Sequence, residues 1–254
     1  MKTCFFFAAF VSSAVFANAS QLFSSSGVNG PALFLIDQAS ATPTRVMDLS
    51  GLASDLSSDG QPNSPYIWAV TNNQLAKIRP TTQQVVSTVA LDAPVDAIAV
   101  ELGTSRIIGV TGSALAEVNS STGEVAVIGT LSQPLDVESL TFDNNGILYG
   151  IGSSSLFSVN TTDATVNVIN DSVPVSSRSG LAVRPSDGTM FLATNDSSYA
   201  LFTIDANTGA RTFVGNTLLR PDGLAFASVP EPAAAGLLTL ALVVLSCRHH
   251  LSRF

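Results

Sequence analysis

One short run of residues returns along this chain at nearly even intervals, and that period limits the fold more than any other property. Leu201-Phe202-Thr203-Ile204-Asp205 is matched by Leu156-Phe157-Ser158-Val159-Asn160, Leu115-Ala116-Glu117-Val118-Asn119, Leu75-Ala76-Lys77-Ile78-Arg79 and Leu33-Phe34-Leu35-Ile36-Asp37. The steps between copies are 42, 40, 41 and 45 residues. Ahead of it lies a second block, seen as Ile67 to Val70, Ile107 to Val110, Leu148 to Ile151 and Met190 to Ala193. A third block precedes that, as Ala97 to Val100, Ser139 to Phe142, Gly180 to Val183 and Gly223 to Phe226. A fourth follows the first, as Val85 to Val89, Val125 to Ile128, Val166 to Ile169 and Thr212 to Val214. Each block is a strand-length apolar or alternating run, and no segment between the two chain ends has a helical period.

The joints between blocks are rich in Gly, Asn and Asp, which accept the positive φ of tight hairpins. Asp143-Asn144-Asn145-Gly146 and Pro185-Ser186-Asp187-Gly188 are examples, and Asp55 to Gly60 reads as another turn. Four short antiparallel strands per ~42 residues is the signature of a β-propeller blade. The stretch 20–227 holds five such units. Phe23 lies 168 residues before Phe191, the same offset as Phe34 from Phe202, so the chain enters at a second strand. The run Asp222 to Phe226 is then an unpaired first strand that closes the ring and hides two sheet edges. The fold class expected is an all-β five-bladed propeller; a β-sandwich or solenoid of the same strand content is the alternative. The repeat resembles the broad NHL/YVTN group of propellers, and that resemblance implies that the Gly-Leu-Ala-Phe-like strand lines the axis. It implies a fold and no particular activity.

Composition removes several chemistries. Both cysteines (Cys4, Cys247) and both histidines (His249, His250) lie in the end segments. The stretch 20–227 therefore has no disulfide, no Cys or His zinc site, no thiol nucleophile and no Ser-His-Asp triad. Its 8 basic and 18 acidic residues leave a formal charge of −10, which argues against nucleic acid as a partner.

The ends read as addresses. Residues 1–19 have a basic start at Lys2, an apolar run from Cys4 to Phe16, and the small residues Ala17 and Ala19 around Asn18. This is the order of a secretory signal peptide cut after Ala19. Residues 228–254 carry Val229-Pro230-Glu231-Pro232, then an apolar stretch at 233–247, then a short basic end at 248–254. That tail resembles the PEP-CTERM sorting signal of bacterial surface proteins. The resemblance implies recognition by an exosortase in the inner membrane of a bacterium that makes exopolysaccharide. His249 and His250 stand among the arginines of the basic end, where the family has a plainer arginine run. The apolar stretch would reach only ~22 Å as a helix, against a hydrocarbon core of ~30 Å. Arg248 and Arg253 would hold its end on the cytoplasmic side.

Among side chains able to do chemistry, Asp96, Glu138 and Asp222 stand out. Each lies two residues before the centre of a presumed axial strand, so a propeller would bring all three towards one mouth of its channel. There they would suit Ca²⁺ through oxygen ligands, or an acid–base pair for glycoside hydrolysis. The plainer reading is that each accepts backbone hydrogen bonds at its own turn. No cofactor is called for. Trp68, Tyr149, Phe191 and Phe23 share one position in successive repeats, which points to packing between blades. The expectation is thus an exported, non-enzymatic surface or matrix propeller. It would be anchored briefly in the inner membrane and then released to the envelope or exterior, where it would meet exopolysaccharide or another surface protein. The competing expectation is a carboxylate-dependent glycoside hydrolase or lyase.

Overall fold

The computed structural model describes residues 18–230, apart from 62, 72, 176–177 and 196–198. The expected signal peptide, Ala17 of its cleavage site, and the tail from Glu231 onward, with Pro232 and the apolar stretch, lie outside the described residues. Ser20–Val229 forms one compact unit.

Twenty strands follow one another with a single 3-10 turn at Pro80–Thr82 among the described residues. The first three are β1 (Asn18–Ser26), β2 (Ala32–Ile36) and β3 (Pro43–Asp48). The next four are β4 (Ala53–Ser58), β5 (Ile67–Thr71), β6 (Gln74–Arg79) and β7 (Gln84–Ala90). Then come β8 (Ala97–Val100), β9 (Ile107–Thr111), β10 (Ala114–Val118) and β11 (Val125–Thr130). They are followed by β12 (Val137–Phe142), β13 (Leu148–Gly152), β14 (Ser155–Val159) and β15 (Val166–Asn170). The last are β16 (Gly180–Val183), β17 (Met190–Ala193), β18 (Ala200–Ile204), β19 (Arg211–Asn216) and β20 (Pro221–Pro230).

They form five four-stranded sheets. Four are consecutive in sequence, and the fifth has the order β20-β1-β2-β3. This is a five-bladed β-propeller closed by pairing the last strand with the first, as the repeat predicts. β20 runs to Pro230, so the first half of the Val229-Pro230-Glu231-Pro232 motif belongs to the closing strand.

Packing explains why the repeat must be a ring. Among the described residues, five hydrophobic clusters each join one blade to the next. Leu33 and Phe23 meet Leu56 and Ile67; Trp68 and Val70 meet Ile98 and Ile107. Ile108 and Leu115 meet Leu140 and Phe142; Tyr149 and Leu156 meet Leu181 and Met190. Phe191 and Leu201 meet Leu22 and Phe226, which returns to the first blade. The four equivalent aromatics are all buried in these seams, as expected. A blade has apolar residues on both faces of its middle strands, so β5 and β13 are buried throughout while the outer strand β7 is largely exposed. Each outer strand carries a register shift against its neighbour, which strengthens the local twist and blunts the open edge.

One expectation fails. Asp55 to Gly60 is not a turn over its length: Asp55 to Ser58 continue β4, the inner strand of the second blade. Its letters look like a loop because this strand meets the axis with hydroxyls and a carboxylate. Ser57 Oγ accepts the Val100 N–H at 2.9 Å and Ser58 Oγ accepts the Phe226 N–H at 3.0 Å. By contrast, Asp143 to Gly146 is the expected hairpin, with the Gly146 N–H on the Asp143 carbonyl at 3.1 Å.

Candidate functional site

Asp96 stands just before its inner strand, and Glu138 and Asp222 are the second residues of theirs; Ile98 faces Gly109 as Leu140 faces Gly150, so the first two hold equivalent places. Ser54 and Ser179 occupy the same place in the other two blades. The structure does not treat the three acids alike. Asp96 is exposed and accepts the N–H of Gly112, in the hairpin loop of its own blade, at 3.0 Å. Asp96 therefore does the turn-holding work that the plainer reading foresaw.

Asp222 is held differently. Its side chain is 1% exposed, and its Oδ1 receives Arg178 Nη1 at 2.9 Å. The backbone N–H of Arg178 donates to Glu138 Oε2 at 2.6 Å. One residue, held at φ +68°, thus ties Glu138 to Asp222 and places a cation between them. The sequence gives no repeat-based signal for Arg178, since it stands in a connection between blades where the period carries no information. Among the described residues, no group of three or more His, Cys, Asp or Glu side chains is gathered closely enough to hold a metal ion.

Burial pushes Asp222 above the usual carboxylate range, while Arg178 and then Arg220 pull it back. Burial likewise raises Glu138, the Arg178 N–H lowers it, and the neighbouring Asp136 adds to the rise. Asp55 is raised well above its ordinary value, again by burial first. For Asp222 and Glu138, the stability contributed is complete below the unfolded value of about 4 and is lost as pH rises through the folded values, while at Asp55 four hydrogen bonds to the charged form oppose the burial. Asp187, held by Arg184, and Asp37 and Asp205, held by turn donors, are lowered. Their contribution is present above about pH 4 and is lost as pH falls further. Both sets place the stability maximum near pH 4, which urea midpoints measured between about pH 3 and about pH 8 will show. A midpoint that climbs steadily towards alkaline pH would contradict this assignment.

The axis behind the mouth is filled. Asp55, fully buried, projects a carboxylate whose Oδ1 accepts the Leu56 N–H at 2.9 Å and the Ser139 hydroxyl at 2.8 Å. Its Oδ2 accepts the Ile98 N–H at 3.1 Å and the Leu140 N–H at 3.2 Å. Gly180 and Gly223 crowd the same level. A Cβ on Gly180 would come within 2.7 Å of the Gly223 carbonyl carbon, and one on Gly223 within 2.5 Å of the Leu56 nitrogen. Below this level a void of about 30 Å³ remains, lined in part by Ser57, Val100, Thr141 and Val183.

A second polar cluster, also missed in the sequence, lies in the loop after β4. Asp59 Oδ1 accepts Trp68 Nε1 at 2.7 Å and Lys77 Nζ at 2.9 Å, and Asp59 Oδ2 accepts the Ser64 hydroxyl at 2.7 Å. Lys77 lies over the rings of Tyr66 and Trp68. The carbonyl of Ser64 receives the Ser228 N–H at 2.7 Å, so this loop clasps the closing strand.

No family model matches the chain, and no curated protein matches it in sequence. Solved structures match in fold. A protein of unknown function from Bacteroides thetaiotaomicron VPI-5482 aligns with TM-score 0.54 and 12% identity over 78% of this chain. The alignment spans 64% of that protein, just under two thirds. A symmetrical protein from a study of de novo evolutionary emergence aligns with TM-score 0.53 and 14% identity, over 81% of this chain and 98% of its own. A chain of the nidogen–laminin complex aligns with TM-score 0.57 and 8% identity, over 82% and 98%. At such identities the likeness is one of fold alone.

Proposed function

We propose that this chain is an exported, non-enzymatic β-propeller that binds exopolysaccharide or another protein at the surface or in the matrix of a bacterial cell. The observation that supports it best is the filled axis. A glycoside hydrolase needs two carboxyl groups facing each other across space for a sugar. Here Glu138 and Asp222 are joined through Arg178, Asp96 is engaged with Gly112, and Asp55 with its glycine neighbours leaves no passage behind them. A rigid disc with blade edges and loops free for contact remains. A propeller of like fold in the nidogen–laminin complex supports protein contact as one use of such a surface.

Delivery follows from the two ends. Residues 1–19 would direct export. The Val229-Pro230-Glu231-Pro232 tail would bring the chain to an exosortase and hold it briefly in the inner membrane before release to the envelope or exterior. Because β20 extends to Pro230, a cut that spares the fold falls after that residue. The test is fractionation with intact-mass measurement in cells with and without an active exosortase. The expected product lies outside the inner membrane, starts at Ser20 and ends shortly beyond Pro230. A released protein that still carries Phe254 contradicts the sorting. Retention of the released product on the host's exopolysaccharide, or on an intact cell surface stripped of it, tells the two binding partners apart. Release of sugar fragments overturns the non-enzymatic reading.

A further inference from the structure

Five residues stand at one level of the axis. Asp55 faces Val70, Ala97 faces Val110, Ser139 faces Ile151 and Gly180 faces Ala193, so four are equivalent by register, and Gly223 is the fifth by repeat. The residue after each is apolar, yet its backbone N–H has to find an acceptor away from water. In the second, third and fourth blades these N–H groups, of Leu56, Ile98 and Leu140, all end on the Asp55 carboxylate. In the fifth, the Leu181 N–H ends on Ser139 Oγ at 3.0 Å, and that hydroxyl passes its own proton to Asp55. Donors from four blades therefore converge on two oxygen atoms, drawn directly or through one hydroxyl from positions spread through 126 residues of chain, from Leu56 to Leu181. Among the described residues, no Lys or Arg makes a hydrogen bond or ion pair with this carboxylate; its binding is done by amide dipoles and one hydroxyl. Such a ring of inward N–H groups is an anion receptor of the kind that backbone nests make.

We infer that the propeller axis is a backbone anion-binding hole which the chain fills with its own Asp55, and that its ligand class is the small carboxylate. The remaining residues at this level agree. Ala97 is small, and Gly180 and Gly223 have no room for a Cβ, so the hole fits one carboxyl group and little more. An alanine at position 55 together with formate restores the atoms of an aspartate, apart from the bond between them.

The full chain, purified in detergent, tests this with Asp55→Ala. The variant is expected to melt below the wild type, and sodium formate is expected to raise its Tm with the logarithm of concentration, as a ligand of the folded state does. Sodium chloride at equal ionic strength and formamide, the neutral isostere, are expected to leave it unmoved. Acetate should act more weakly, because its methyl group meets the alanine. The wild type should show no response peculiar to formate. Equal recovery by formamide, or an equal formate response in the wild type, overturns the inference. If Asp55→Ala does not fold, its refolding yield from urea in formate against formamide gives the same comparison. If neither refolds it, amide exchange in Ser139→Ala decides. The Leu181 N–H is then expected to exchange about tenfold or more faster while Ile98 and Leu140 stay protected. A uniform change in all three, or none, overturns the inference.

Discussion

A chain ended at Arg220 is expected to show no cooperative unfolding transition in urea or on heating. Such a truncation removes β20, ten residues, yet it opens the molecule at two seams and along the edge of β1. The seam between the fifth and first blades loses Leu224 and Phe226, and the seam between the first and second loses Ala225 and Ala227. Phe226 also leaves its edge-to-face contact with Phe191, at 5.8 Å between ring centres. Burying one Leu or Phe is worth roughly 1.5–3 kcal/mol, so the two large side chains alone account for about 3–6 kcal/mol. A domain of this size has about 5–15 kcal/mol in all. The lost ladder to β1 and the bonds of Phe226 to Ser58 and Ser228 to Ser64 come on top. What remains would be an open arc with the unpaired edge of β1 facing water, a template for aggregation. Circular dichroism through a urea titration measures it; a sigmoidal transition at the wild-type midpoint would show that closure is dispensable.

The ring was legible in the sequence because a seam between blades needs the same apolar letters every time. Leu33, Leu75, Leu115, Leu156 and Leu201 are all fully buried, and so their spacing survived divergence of everything around them. The closing strand could be read for the same reason, since Leu224 and Phe226 repeat the pattern of the other inner strands. What could not be read was the place where the copies differ. β4 is the inner strand whose apolar letters give way most, to Ser54, Asp55, Ser57 and Ser58, because it supplies side-chain acceptors to three other inner strands. A search for periodic hydrophobicity passes over such a strand.

The candidate site was half legible on the same principle. Asp96, Glu138 and Asp222 recur at one register position and could be placed near one another from the repeat alone. Their partners could not. Arg178 lies in a connection whose length varies from blade to blade, and nothing in its spacing announces that it joins Glu138 to Asp222. The prediction that follows is modest. Arg178→Ala leaves the buried Asp222 without its cation and should cost about 1–3 kcal/mol. The loss should grow as rising pH ionises Asp222 and shrink as acid neutralises it. Urea midpoints of the variant at two pH values check this, and a cost that grows on acidification would contradict it.

Gly223→Ala, a change of one methyl group, is expected to destabilise the fold by about 3 kcal/mol or more, at the upper end of what overpacking does. The reason is what the new Cβ would meet. Its neighbours are the Leu56 nitrogen at 2.5 Å and the carbonyl carbon and Cα of Asp55 at 2.9 Å. All three are backbone, in a strand whose Leu56 N–H is committed to the axial carboxylate, so no side chain can swing aside. Relief requires β4 and β20 to move apart. That separation strains the Phe226 bond to Ser58 and loosens the first seam of the ring at once. Gly146→Ala is the informative control. Gly146 sits at φ +81° with nothing within 4 Å of a built Cβ, so the cost there is the conformational one alone, about 1 kcal/mol. The two glycines thus separate two physical demands that look identical in the sequence: positive φ in a turn, and the absence of a side chain where two strands nearly touch. Urea titrations of both variants beside the wild type measure the difference. Equal small losses would mean that the axis is looser than its backbone distances imply, and that the narrow level around Asp55 does not constrain the ring.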